Sequence, residues 1–525
     1  MKPAIWILMA CFPVCAQTPF ERIRDAEREP GNWLTYSGNY GAQRHSLLDQ
    51  IHAGNVARLK PVWVYQASAV AAVETTPLVV DGVMYISEPP SSVTALDTRT
   101  GRPLWKYQRV APKDVRVCCG QVNRGVALLD EQVFVGTVDA HLVALDARTG
   151  VVHWDVSLAD YKTGYAITVA PLAVKDKVIV GIAGGEYGVR GFLDAYDAKT
   201  GKQAWRFWTI PGPGEPGHDT WASESWKTGS ATTWVTGAYD PELNLLYWGT
   251  GNPGPDWNAD TRAGDNLYSD CLVALDPDTG KLKWHFQFTP HDTHDWDSTE
   301  VPVLARATIG GRERKVVLFA NRNAFYYVLD RATGEFLHGN AYARQTWAKG
   351  LDDRGKPVLV PNMAPAEQGI KVYPSAAGAN NWYSPSYSPK TDLFYVAVRE
   401  MGSLYYKGEV EYKAGANFNG GGEREIPGEK GYGVIRAMMP GSGEIKWEYK
   451  IFSPPLAGLL STAGGLLFAG TNEGDFLALD AATGKSLWRF QTGGTVQANP
   501  MSYLSDGKQH VAIAAGNAIF AFAVE

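Results

Sequence analysis

The sequence predicts an all-β fold, an eight-bladed β-propeller with tryptophan-docking repeats, and three observations carry that prediction. One phrase recurs along the chain: an apolar strand runs into Asp-x-x-Thr-Gly, and a Trp follows four residues after the Gly. The 525 residues are 45% apolar and 20% charged, with 56 Gly and 31 Pro, enough apolar material for a large core and many turns. No helical domain is apparent between the repeats.

Taken in order, the chain opens with Lys2 ahead of the apolar run from Ala4 to Ala10. Small residues Val14 and Ala16 stand at the spacing of a signal-peptidase site, so residues 1–16 read as a signal peptide and 17–525 as one propeller domain. The run is too short to span a hydrocarbon core of about 30 Å, so stable membrane insertion is not expected.

Five close copies of the phrase follow. They are Asp97-to-Trp105 around Gly101, Asp146-to-Trp154 around Gly150, Asp197-to-Trp205 around Gly201, Asp276-to-Trp284 around Gly280 and Asp480-to-Trp488 around Gly484. Two are degenerate: Val328-Leu329-Asp330…Thr333-Gly334 lacks the Trp, and Ala437…Gly443…Trp447 lacks the Asp and Thr. Each reads as a β-hairpin, because Asp and Thr bond the turn backbone, Gly accepts a positive φ, and apolar residues alternate on either side. Repeated small sheets cover one another by packing around an axis, with the Trp supplying apolar area between neighbours. Seven hairpins are visible, and the segments around Trp33-Leu34-Thr35-Tyr36 and His510-Val511-Ala512-Ile513 are expected to pair and close an eighth blade. The long interval between Gly334 and Gly443 must hold inserted loops that cover one end, where loops make sites.

Charge narrows the function. Lys and Arg number 49 against 55 Asp and Glu, a formal charge of -6 with no basic run, which sets nucleic acid aside as a partner. No Cys-x-x-Cys-His occurs, so the chain carries no c-type haem of its own. Removal of the signal peptide takes Cys11 and Cys15 with it and leaves Cys118, Cys119 and Cys271 in an oxidising compartment. Adjacent cysteines are an odd choice for stapling, since a bond between neighbours closes a tiny ring; two free thiols are the other reading.

Glu186, Asn252, Asp295 and Asp297 are hard oxygen donors on Gly- and Pro-rich segments, the kind a Ca²⁺-like ion takes. Asp295 and Asp297 lie two apart, which on an extended segment sends both side chains to one side. Val117-Cys118-Cys119-Gly120, Gly184 to Gly191, Gly249-Thr250-Gly251-Asn252-Pro253 and His291 to Asp297 occur together and in that order. With the repeats, they make the chain resemble the pyrroloquinoline quinone (PQQ)-dependent methanol/ethanol dehydrogenases over essentially its whole mature length.

The resemblance implies a periplasmic enzyme that oxidises a small alcohol through PQQ and passes electrons to a separate cytochrome c; association into a homodimer is left open. It implies a Cys118–Cys119 disulfide as a flat lid over the quinone, with Trp234 stacking on the other face. It implies Glu74, Arg124, Thr168, Gly184, Gly185, Arg322 and Asn381 as further cofactor contacts. Glu186 and Asn252 become metal ligands and Asp295 the base, with Glu186 the other carboxylate able to take that role. Asp297 matches the aspartate that marks lanthanide-dependent members, since a trivalent ion is balanced by one more carboxylate than Ca²⁺ needs; a lanthanide(III) is the expected ion and Ca²⁺ the alternative. Replacing Asp297 is expected to leave stacking on Trp234 intact. Two departures stand out: Leu456, in Pro454-Pro455-Leu456-Ala457-Gly458, replaces a family tryptophan, and His294 replaces another before the base. The competing readings are a non-catalytic propeller scaffold or sensor and a PQQ sugar dehydrogenase.

Overall fold

Each repeat phrase forms the third and fourth strands of a four-stranded antiparallel sheet. The first complete unit is Leu78–Val80, Val83–Glu88, Ser92–Asp97 and Pro103–Tyr107, paired in chain order. In this computed structural model, which describes residues 17–68 and 71–525, eight such four-strand sets are present among the described residues, and the family of sheets is a β-propeller. One set also carries the short parallel strand His45–Ser46 on its edge. The signal peptide read over residues 1–16 lies outside the described residues.

The repeat residues do what their chemistry suggests. In the hairpin at Gly150, Thr149 donates from its backbone N and its hydroxyl to Asp146 Oδ1 at 2.8 and 2.7 Å. Gly150 N donates to the Asp146 carbonyl at 2.8 Å and Gly150 has φ +72°. Two constraints meet at this glycine, because a Cβ there would also lie 2.5 Å from Cε3 of Trp105, the tryptophan of the preceding sheet. The Trp105 indole N–H donates to the Ala147 carbonyl at 3.0 Å. The same docking joins Trp63 to Gly101, Trp154 to Gly201, Trp205 to Gly280 and Trp447 to Gly484, with indole bonds of 2.9–3.1 Å to Thr98, Ala198, Pro277 and Ala481 carbonyls. Trp284 packs on Gly334 with its indole N–H unpartnered, while the Tyr247 hydroxyl donates to the Arg331 carbonyl at 2.8 Å. Where the repeat lacks its Trp, His338 fills the position opposite Val328 and bonds the Ser442 carbonyl at 2.7 Å, with Asn340 against Gly443.

Ring closure differs from the expected pairing. The C-terminal strand Ala518–Val524 pairs antiparallel with Leu59–Gln66, from Leu59 opposite Val524 to Gln66 opposite Ala518. Trp33 instead makes an isolated bridge to Val79 in the first complete unit. The reason is legible afterwards: Leu59–Gln66 is a fourth strand carrying its own docking Trp63, but its hairpin turn is replaced by the two chain ends, so no Asp-x-x-Thr-Gly precedes it. Trp488 completes the seam by donating to the Leu59 carbonyl at 3.1 Å.

The insertion between Gly334 and Gly443 adds a two-stranded sheet, Ala348–Leu351 with Pro357–Leu359, and a three-stranded one, Ile370–Val372, Ser403–Lys407 and Gly421–Glu425. Residues from this insertion form one wall of the cavity described next. Among the described residues, no helix is long and apolar enough to cross a membrane.

Candidate active site

A cavity of about 490 Å³ collects residues from nearly every repeat: Glu74, Cys118, Cys119, Arg124, Thr168, Gly184, Glu186, Trp234, Asp295, Asp297, Arg322 and Asn381 all line it. A larger open cleft of about 1200 Å³ shares only Leu456 with this wall. Of the residues expected at the site, Gly185 and Asn252 stand behind the wall. Asn252 is buried and bonded to two wall residues: its backbone N donates to Asp297 Oδ1 and its side-chain Nδ2 to Asp256 Oδ1, both at 2.8 Å.

Two loops deliver Glu186, Asp295 and Asp297. Glu186 sits in the single turn Gly185–Tyr187, entered through Gly184 at φ +116°, where a Cβ would fall 2.2 Å from the Gly164 carbonyl; close backbone approach requires that glycine. Ser230 Oγ pins the turn by donating to the Gly185 carbonyl at 2.6 Å. Asp295 and Asp297 do face one cavity, but not through an extended segment: Asp295 lies at φ +62°, and the intervening Trp296 is fully buried. Asp292 holds this bend by accepting from the backbone N of His294 at 3.0 Å and of Trp296 at 2.8 Å. The Trp296 indole donates to the Ser375 carbonyl at 3.0 Å, and its ring stacks on His294 with centroids 4.2 Å apart. His294 therefore serves the fold of this loop.

Arg322 is the counter-ion. Its Nη1 lies 2.5 Å from Asp297 Oδ2, its Nη2 lies 3.7 Å from Asp295 Oδ1 and donates to the Ala376 carbonyl, and its backbone N donates to Glu300 Oε1 at 2.9 Å. Burial opposes its charge, but Asp297 and Asp295 outweigh burial and hold it firmly protonated. One guanidinium does not neutralise the set. Burial pushes the Glu186 carboxyl up to about 7 and raises Asp295, Asp297 and Asp256 as well; Arg322 works against the rise at Asp295 and Asp297 without cancelling it. Six carboxylates line the cavity (Glu74, Glu186, Asp256, Asp295, Asp297 and Glu423) against two guanidinium groups. Such an excess of oxygen donors, with Glu74, Asp256 and Asp297 buried, fits a multivalent hard cation.

The remaining wall fits a flat, acidic ring system. Cys118 and Cys119 are joined by a disulfide and Cys271 is a buried free thiol, as expected. The two sulfurs and the Glu186 carboxylate lie within 4.8 Å of one another; bonded sulfurs carry no thiolate, so this closeness places the acid at the disulfide and is no ligand set. Arg124 projects between two indoles, 4.9 Å from each of the Trp234 and Trp382 ring centres. It pairs with Glu74 at 3.1 Å and donates to Thr168 Oγ1 at 3.0 Å, leaving Nε unpartnered. A planar cation with a spare donor among aromatic faces is suited to a carboxylate on a stacked ring.

Trp234 is tied to the acids by a contact the sequence did not indicate. Its indole donates to Asp297 Oδ2 at 3.1 Å, so Asp297 orients the ring as well as facing the donor set. Sequence reasoning also missed Asp256, Trp257, Trp382, Glu423 and Gln497 on the wall. Asp256 had a readable signal, an acid four residues after a candidate ligand in the same Gly- and Pro-rich loop that also carries Trp257; Trp382, Glu423 and Gln497 come from segments with no motif. Leu456 does line the cavity at the position of the replaced tryptophan.

Residues 33–341 and 422–511 match the family model described as PQQ: glucose/ethanol/alcohol dehydrogenase, beta-propeller domain. The chain is 41% identical to the quinoprotein alcohol dehydrogenase PedH of Pseudomonas putida, over 94% of this chain and 88% of that one. It is 37% identical to the lanthanide-dependent methanol dehydrogenase of Methylacidiphilum fumariolicum, over 97% and 89%. A solved europium-containing methanol dehydrogenase superposes with a TM-score of 0.91 at 34% identity, covering 96% of this chain and 100% of that one.

Proposed function

The chain belongs to the β-propeller family of PQQ-dependent alcohol dehydrogenases, and on that footing we propose a periplasmic enzyme that oxidises a small alcohol to the aldehyde and passes the electrons to cytochrome c. The eight four-strand sheets are read as the eight blades of one ring spanning residues 17–525. The observation that carries the reading of the site is the set of six carboxylates around one cavity, walled by the Cys118–Cys119 disulfide and Trp234. Glu186, Asn252, Asp295 and Asp297 would hold the ion, and the anionic excess favours a lanthanide(III) over Ca²⁺.

PQQ held in this cavity would supply a two-electron oxidant able to take a hydride equivalent, and a multivalent ion beside it would supply Lewis acidity. The protein's own part is positioning and proton transfer. Arg124, Glu74, Thr168 and Asn381 would fix the cofactor's polar edge, and Trp234, held by Asp297, its face. Asp297 accepts from the Trp234 indole and Arg322 on Oδ2 and from Asn252 N on Oδ1, which leaves Oδ1 a lone pair for the ion and makes Asp297 the less available base. Asp295 has only Arg322 at 3.7 Å and keeps about a quarter of its side chain open, which leaves its carboxylate free to take the hydroxyl proton. Glu186 is the second reading, because it too borders the cavity.

Reconstitution tests this directly: metal-free protein with PQQ and La³⁺ should oxidise alcohols in a dye-linked assay and do so less well with Ca²⁺. Activity with Ca²⁺ alone would overturn the lanthanide assignment, and no PQQ-dependent activity with either ion would overturn the reading of the cavity.

A further inference from the structure

Asp256 is absorbed by neither the base nor the ligands named above, yet it is 3% exposed and lines the same cavity. Its Oδ1 accepts from Asn252 Nδ2 at 2.8 Å. Ionised, as beside a bound cation, Asp256 only accepts, so the amide presents its NH₂ to Asp256 and leaves the Asn252 carbonyl oxygen free to face the ion. The loop bearing both residues is fixed on three sides. The Pro255 carbonyl accepts from Arg262 Nε and Nη2 at 3.2 and 3.0 Å. The same buried Arg262 donates to the Asp292 carbonyl at 2.6 Å, tying this loop to the one that carries Asp295 and Asp297. A Cβ on Gly254 would fall 2.2 Å from Ser230 Oγ, the hydroxyl that pins the Glu186 turn. Asp256 thus sits where the three ligand-bearing loops meet.

We propose that Asp256 is a positioning residue of the metal site, turning the Asn252 carbonyl oxygen toward the ion and adding a buried negative charge that biases the site toward trivalent over divalent cations. The inference rests on the reading of the cavity as a metal and PQQ site. Both effects follow from one contact: the hydrogen bond sets the amide, and the charge behind it acts on the ion through a short, buried path.

The test is titration of metal-free full-length protein, with PQQ present, by La³⁺ and by Ca²⁺. In Asp256→Asn the new amide oxygen can still accept from Asn252, but the charge is gone; La³⁺ affinity should fall roughly 10–100-fold, the usual range for losing an outer-shell partner, and Ca²⁺ affinity by less. The La³⁺/Ca²⁺ preference should therefore drop, and Asp256→Glu should restore it. An unchanged preference in a folded Asp256→Asn protein would make Asp256 a packing residue and overturn the proposal. One measurement needs no variant: in a crystal structure of the wild-type protein with PQQ and Tb³⁺, Asn252 Oδ1 should face the ion while Nδ2 stays on Asp256. An Asn252 amide turned away from Asp256 would overturn the proposal. Failure of the wild-type protein to bind either ion would overturn the reading of the cavity itself, a result distinct from both.

Discussion

Ion binding at the carboxylate cavity should weaken as the pH falls through neutrality, and Glu186 sets the scale. Burial lifts its carboxyl to about 7, so in the metal-free protein a proton competes with the ion for the same oxygens. With one such competitor, apparent affinity is divided by about 1.1 at pH 8, about 2 at pH 7 and about 11 at pH 6, a roughly tenfold loss between pH 8 and pH 6. Asp295, Asp297 and Asp256 are raised in the same direction and should steepen the fall. Stability should depend on pH differently in the two forms. A buried carboxyl with a raised folded pKa keeps a proton that the unfolded chain has already lost, so the metal-free protein loses stability as pH rises toward 7 and beyond. The ion-bound protein holds the same carboxylate unprotonated, as the unfolded chain also does above about pH 5, so its stability should stay nearly level over this interval. Calorimetric titration with La³⁺ at pH 6, 7 and 8, in buffers of different ionisation enthalpy, gives both the affinity and the protons released. About half a proton or more should leave at pH 7. Affinity that changes less than twofold from pH 6 to 8, with no proton release, would refute the argument, and Glu186→Gln should remove the tenfold share assigned to that residue.

Asp295→Asn should retain PQQ and ion binding by absorbance while turnover drops about 10²–10⁴-fold, the usual size of general-base catalysis; near-normal turnover would move the role to Glu186. Arg322→Gln leaves the buried carboxylates of Asp295 and Asp297 without their counter-ion, so the metal-free protein should lose about 3–5 kcal/mol in denaturant unfolding, with La³⁺ and PQQ recovering part of it; an equal loss in both forms would contradict the charge argument. Gly150→Val puts a Cβ on the Trp105 ring at a positive φ and should cost about 2–5 kcal/mol, the sum of about 1–2 for the left-handed backbone and 1–3 for overpacking; an unchanged unfolding midpoint would contradict the tryptophan docking.

Most of the propeller was legible because its repeat is written locally: Asp, Thr, Gly and Trp serve one hairpin and its neighbour within a few residues of each other. Closure was not, because the turn that would announce the last hairpin is replaced by the chain ends, and Leu59–Gln66 then reads as an isolated strand. The cavity residues on motifs, from Cys118 and Cys119 to Asp297, were found through their family order. Trp382 and Glu423 were not, since they reach the cavity from the long insertion, whose path depends on tertiary packing. The bond between Asp297 and the Trp234 indole joins residues 63 positions apart and has no sequence signature. Extended-strand logic brought Asp295 and Asp297 to one side for the wrong reason: the bend at Asp295, braced by Asp292, does it instead.

The central claim is that one cavity holds both PQQ and a multivalent ion. A crystal structure of the protein reconstituted with PQQ and La³⁺, with the ion located by its anomalous scattering, tests it most directly. The account predicts the ion among Glu186, Asn252, Asp295 and Asp297, and the quinone between the Cys118–Cys119 disulfide and the Trp234 ring. An ion bound elsewhere, or a quinone that leaves Trp234 uncovered, would contradict it.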